Sequence, residues 1–129
     1  MDHARTTRDS NCGTVYKLSY SKKKGWTEKI LYSFKGPPED GRAPWGIVFD
    51  AAGNIYGNTG FGGKYKAGTI FELVPVGNGR YNEKVIWTFG KLKDGYLPRG
   101  SPTLDSAGNL YGTADGGWRG SGIVFEVTP

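Results

Sequence analysis

One cysteine, Cys12, and one histidine, His3, are all that the chain carries of those residue types. A lone thiol excludes an intrachain disulfide, and Cys12 reads as a small apolar residue, buried or half-buried. His3 lies in a polar stretch, residues 1–11, that is expected to fray. A histidine-based metal site or catalytic triad is therefore not expected. No Cys, His or carboxylate cluster has metal-ligand spacing, so neither a metal nor another cofactor is expected. Long apolar runs are also missing, which excludes a membrane-spanning helix. The first residues lack the apolar core of a signal peptide, so the chain as written reads as cytoplasmic. No segment sustains a 3.6-residue apolar period between caps, and essentially no helix is expected.

Glycine and aromatic residues are plentiful instead: 22 glycines, and 14% Phe, Trp and Tyr. No triplet period accompanies the glycine, so it is not collagen-like. The combination points to short strands joined by tight turns. The net charge is +5. Its only dense run, Lys22-Lys23-Lys24, falls between two apolar segments where a hairpin loop is expected. One short run is a poor electrostatic footprint for nucleic acid, and a solvated loop is the better reading. Gly60, Gly62 and Gly63 are not followed by the Lys-Ser or Lys-Thr pair of a phosphate-binding loop, and read as hairpin chemistry.

The chain repeats itself. Asp50-Ala51-Ala52-Gly53-Asn54-Ile55-Tyr56-Gly57 returns as Asp105-Ser106-Ala107-Gly108-Asn109-Leu110-Tyr111-Gly112, an offset of 55 residues. Glu28–Phe34 returns as Glu83–Phe89 at the same offset. A third unit occurs three times, beginning at Gly13, Gly68 and Gly122. Asp40-Gly41 with Pro44 matches Asp94-Gly95 with Pro98. Each unit reads as a strand of period two, and Gly and Asn supply turns with positive φ. In repeat order, strand A covers about 46–50 and 102–105, and strand B about 54–59 and 109–114. Strand C covers about 14–19, 69–74 and 123–128, and strand D about 28–34 and 83–89. The apolar run Ile47-Val48-Phe49 suggests a strand A covered on both faces. The chain order is C D, A B C D, A B C. The fold class expected is all-β: four-stranded antiparallel propeller-type blades over residues 12–129, about two per chain. A β-sandwich is the runner-up, but it does not explain why whole four-strand sets recur with their turns.

The phrase Phe49–Gly57, then a glycine-rich loop and Gly68–Pro75, resembles the GloVer (Gloeobacter/Verrucomicrobia) tandem repeat. Tyr32–Gly36 with Asp40-Gly41 and Pro44 fits the same pattern. The resemblance covers residues 12–129. It implies a propeller-like repeat, usually in long bacterial proteins that look exported, with no established activity and so no catalytic residue to carry over.

The repeat count has a physical consequence. Such a unit buries its faces against neighbours, and roughly three or more are needed for stability. Two units leave broad apolar faces and open edges. Self-association into a ring is expected, as a trimer of six blades or a tetramer of eight. The N-terminal C D pair is expected to complete the A B pair of a neighbouring copy. Nine strands make two blades and one surplus strand C.

Asp50 and Asp105 invite an acid–base reading, but an Asp beside a Gly-Asn turn more often accepts backbone hydrogen bonds. Tyr32, Trp87, Trp26 and Tyr81 read as strand-D packing. The loops expected before strand A carry Arg42, Trp45, Tyr96 and Arg99, and the B–C loop carries Trp118 and Arg119. Aromatic faces suit a sugar ring and guanidinium groups suit carboxylates or hydroxyls, so these six residues are the candidate ligand surface. Their competing role is to cap the cores. The function expected is a non-enzymatic module binding carbohydrate multivalently, since repeated weak sites gain avidity. The alternatives are a structural fragment without ligand, or a propeller-type hydrolase or lyase. The enzyme needs a polar cluster at the strand-A mouths, which Ile47, Val48 and Phe49 do not provide.

Overall fold

The computed structural model describes residues 11–91 and 93–129, so most of the N-terminal stretch expected to fray, His3 included, lies outside the described residues. Nine strands follow one another: β1 (Thr14–Ser21), β2 (Gly25–Ser33), β3 (Gly41–Phe49), β4 (Ile55–Gly62), β5 (Thr69–Gly77), β6 (Arg80–Thr88), β7 (Tyr96–Leu104), β8 (Leu110–Asp115) and β9 (Ile123–Val127). They form antiparallel sheets of order β1-β2, β3-β4-β5-β6 and β7-β8-β9. This is the grouping C D, A B C D, A B C that the repeats imply. Among the described residues there is no helix.

Local chemistry closes the hairpins. Asn78 and Gly79, with φ of 56° and 69°, join β5 to β6. Positive φ at both central residues is the primed-turn geometry that matches strand twist. The turn after β3 is tied by Asp50, whose Oδ1 accepts from the amides of Ala52 and Asn54, each at 2.9 Å. Asp105 Oδ1 does the same with Ala107 and Asn109 after β7. Lys22–Lys24 form the turn between β1 and β2, as expected.

Strand A begins earlier than the sequence suggests. Prolines and a positive φ signal loops, and residues 41–45 and 96–101 contain both. Yet Ala43 (φ 58°) and Leu97 (φ 54°) sit within β3 and β7. Their amides donate to the Cys12 and Ala67 carbonyls, each at 2.8 Å, so a preceding segment meets the donor that the irregular strand withdraws from its ladder.

Residues of alternate parity on the central sheet face opposite ways and fill two cores. Ile55, Phe71 and Leu73 pack with Val15, Phe34 and the buried Cys12 of the first sheet's side. Tyr56, Ile70 and Phe89 pack with Leu110, Ala114 and Phe125 of the third sheet. Edge-to-face ring pairs recur one repeat apart, Phe34–Phe71 at 5.0 Å and Phe89–Phe125 at 5.2 Å between centroids. The central sheet is thus covered on both faces and each outer sheet on one.

The uncovered faces are in repeat register with covered ones. Val15, Ile70 and Val124 are equivalent, and their exposures are 4%, 0% and 79%. Val124 points away from the core that Ile123, Phe125 and Val127 enter. On the first sheet Tyr16, Leu18 and Ile30 are exposed, while their equivalents Phe71 and Leu73 are buried and Val85 is half-buried. Tyr16 pairs with Ile30, and Tyr20 with Trp26, on that same open face. Trp26, expected to pack in a core, is exposed and lies 5.4 Å from Tyr20. Phe49 is likewise exposed, so the run Ile47-Val48-Phe49 is not covered throughout.

Candidate functional site

Carboxylates come first, because acid–base chemistry would need them. Asp50 Oδ2 accepts from the Asn54 side chain at 2.8 Å, and Asp105 Oδ2 from Asn109 at 3.1 Å. The Tyr56 hydroxyl lies within hydrogen-bond distance of both Asp50 and Glu72, and Tyr111 donates to Asp105 at 2.9 Å. Both Asp carboxyls titrate below the usual range. For Asp50 the Asn54 side-chain bond is the main cause, and for Asp105 the Asn109 amide. They are turn anchors held ionised, with every oxygen engaged.

A second pair of carboxylates ties strand D to the connection that follows it. Asp40 Oδ2 accepts from the Tyr32 hydroxyl and the Lys35 amide, each at 2.8 Å, and Oδ1 from the Gly41 amide at 2.6 Å. One repeat later Asp94 accepts from Trp87 Nε1 and the Gly90 amide, each at 2.9 Å. Tyr32 therefore has a hydrogen-bonding role besides packing, whereas Trp87, expected to pack, is exposed and held by its hydrogen bond. Glu83 stands beside Asp40 and Tyr32, with Oε1 buried and unpartnered. Loss of water, and then the Asp40 charge, push its carboxyl up to about 7. Neither Glu83 nor Asp40 lines any of the three clefts described below.

A cleft of about 710 Å³ opens between the central and third sheets. Its walls are the β4–β5 loop, the β6–β7 connection and the β8–β9 loop. Phe61, Tyr65 and Tyr96 give it aromatic surface, and Lys66, Lys91 and Lys93 give it positive charge. The rest of the described wall is mainly glycine, which brings backbone close to the space. The same cleft recurs one repeat earlier, at about 460 Å³. Pro37, Arg42, Ala43, Phe61, Gly62 and Lys66 line it. Arg42 there takes the place of Tyr96. Phe61 and Lys66 form a wall common to both.

The six residues expected to bind ligand divide among these features. Tyr96 lines the larger cleft and Arg42 the smaller. Trp45 is exposed and lines a third cleft with Tyr16 and Pro44, its indole edge lying over Gly60 at the rim of the larger one. Arg42, Trp45, Tyr96 and Arg99 lie on strands β3 and β7, not in loops. Arg99 is bound to Asp115 at 3.1 Å. Trp118 is exposed beside the cleft, with Lys93 Nζ 4.0 Å from its ring centroid, and Arg119 follows it in the same exposed loop. They do not converge on one point. Among the described residues no group of three or more His, Cys, Asp or Glu is placed to hold a metal ion.

Compared with known families, residues 3–129 match the Gloeobacter/Verrucomicrobia repeat. The chain belongs to this family. The match begins at residue 3, earlier than the quoted motifs. No curated protein and no solved structure matches the chain. In this Gloeobacter/Verrucomicrobia repeat the motif residues Asp50, Gly53, Asn54 and Tyr56 are thereby explained as one hydrogen-bonded turn. The cleft residues Phe61, Tyr65, Lys66, Lys91 and Lys93 escape a sequence reading. Their one signal is the alternation of Lys and aromatic residues in Phe61–Lys66, inside a loop otherwise explained by its glycines.

Proposed function

We propose that this chain is a non-enzymatic β-propeller repeat module that assembles with further copies of itself and binds carbohydrate multivalently at the clefts between successive sheets. The observation that carries the binding role is the recurrence of one cleft at both sheet junctions, with Tyr96 and Arg42 at equivalent positions. A cleft of about 300–1,000 Å³ with a few convergent polar groups is the usual form of a small-molecule site. Repetition at a fixed spacing turns weak contacts into avidity.

Assembly is supported by the register of the open faces. Tyr16, Leu18 and Ile30 offer what Phe71, Leu73 and Val85 offer inside the chain, and Val124 offers what Val15 and Ile70 offer. Joining the two faces head to tail repeats the contact already made twice within one chain, and a rotation that closes gives a ring. Sedimentation velocity tests the assembly: a stable monomer at micromolar concentration removes it. A glycan array tests the binding: loss of any hit on Tyr96→Ala supports the cleft, and hits that survive it place the ligand elsewhere.

A further inference from the structure

The geometry points to an anionic oligosaccharide, built of uronic-acid units, as the ligand of the cleft between the central and third sheets. This rests on the carbohydrate reading above and narrows it. Three lysines, Lys66, Lys91 and Lys93, line the cleft, and none of its described lining residues is acidic. Two carboxylates adjoin the lining in sequence: Asp94, which keeps its charge while accepting from Trp87 Nε1 and the Gly90 amide, and Asp115 at the end of β8, which is paired with Arg99. Three lysines against the one carboxylate without a cationic partner in that pair, Asp94, leave the cleft positive, and that charge is available to a ligand.

The shape of that charge matters. Lysine ammonium groups are compact point charges without the planar fork that grips one carboxylate or phosphate in two places. Lysines drawn from two separate connections suit charges spaced along a chain better than one concentrated group. Tyr65, Tyr96 and Phe61 add aromatic surface to the same lining. Aromatic faces pack on the apolar face of a pyranose ring. A single-stranded nucleic acid also combines charge with stacking, but it needs a groove that tracks several successive phosphates. Here the three lysines lie in one cleft of about 710 Å³, which shares Phe61 and Lys66 with the preceding one.

The experiment is a calorimetric titration of the full chain with tetragalacturonate and with its fully methyl-esterified form, which keeps the rings and removes the charge. The acid is expected to bind at least tenfold more tightly at low salt, and that preference should shrink severalfold in 0.5 M NaCl. In Lys66→Ala/Lys91→Ala/Lys93→Ala the two forms should bind alike, with the ester unaffected, which also shows that the variant is folded. Equal binding of acid and ester to the unaltered chain overturns the proposal and leaves the carbohydrate reading standing. Binding of neither overturns the proposal, and the glycan array then decides the carbohydrate reading by itself. An oligonucleotide or polyaspartate of matched charge binding as tightly as the uronate also overturns it, because charge alone then suffices.

Discussion

The hydroxyl of Tyr32 donates to Oδ2 of Asp40 at 2.8 Å, binding the end of one sheet to the connection that starts the next. Asp40 is almost fully buried and also accepts the amides of Lys35 and Gly41. Its repeat equivalent, Asp94, makes the same kind of bonds to Trp87 and Gly90 in a more exposed setting. The same motif thus carries different weight at two places in one chain. Removing Asp40 strands buried donors, and Asp40→Ala is expected to cost about 2–3 kcal/mol. Water can replace the partner at the exposed site, so Asp94→Ala should cost roughly 1 kcal/mol or less. Urea unfolding of both variants measures the difference. Equal losses would show that burial does not set the value of this bond.

Glu83 gives a pH dependence of definite sign. Its folded-state carboxyl is raised from 4.5 to about 7 by burial and by Asp40. Below the unfolded value both states are protonated and the group costs nothing. Between about 4.5 and 7 the unfolded chain ionises while the folded chain keeps its proton, so stability falls as pH rises. Above about 7 the full cost is present. Glu83→Gln should therefore match the parent near pH 4.5 and exceed it at pH 8 by about 1–2 kcal/mol, after discounting for partial solvent access. Thermal unfolding at the two pH values decides it, and a gain of the same size at both would assign the effect to something other than titration.

Much of this fold is legible in the sequence because strand, turn and sheet membership are local. Ile30-Leu31-Tyr32-Ser33-Phe34 alternates, the Asp50–Asn54 turn announces itself by Gly and Asn, and the repeats group the strands before any pairing is known. The start of strand A is not legible, since Ala43 and Leu97 have loop-like φ and are satisfied only by carbonyls more than 25 residues away. Glu83 reads as the polar side of an alternating strand, and only the packing of the first sheet against it buries the carboxyl. The cleft is least legible of all. Tyr65 and Lys66, Lys91 and Lys93, and Tyr96 come from segments that are adjacent only once two sheets pack together.

The open faces make a prediction with two halves. Leu18→Asp places a charge on the outward face of the first sheet, and Val124→Asp on that of the third. Each variant alone should sediment as a monomer, because a head-to-tail contact needs both faces. An equimolar mixture should form a dimer, since the intact Val124 face of one variant meets the intact Leu18 face of the other. A two-fold symmetric contact, in which like faces meet, predicts the opposite: the separate variants would each dimerise through their unaltered face.

Gly57 and Gly112 occupy the same position in β4 and β8, and each lies under an aromatic ring. A Cβ at Gly57 would stand 2.5 Å from Cζ of Phe71, and one at Gly112 2.5 Å from Cζ of Phe125. Neither glycine has a positive φ, so the requirement is for space and not for backbone freedom. Phe71 is fully buried in the first core and also touches Phe34, so its ring has little room to retreat. Gly57→Ala should cost about 1–3 kcal/mol through overpacking. Phe125 is only half-buried, so Gly112→Ala should cost less. Phe71→Leu shortens the group that the new methyl meets. If the clash is the cause, Gly57→Ala/Phe71→Leu will lose less stability than the two single variants together, by at least about 0.5 kcal/mol. Strict additivity in chemical denaturation would place the penalty on the β3 backbone instead, where the carbonyl of Gly46 lies 2.6 Å from the same Cβ position.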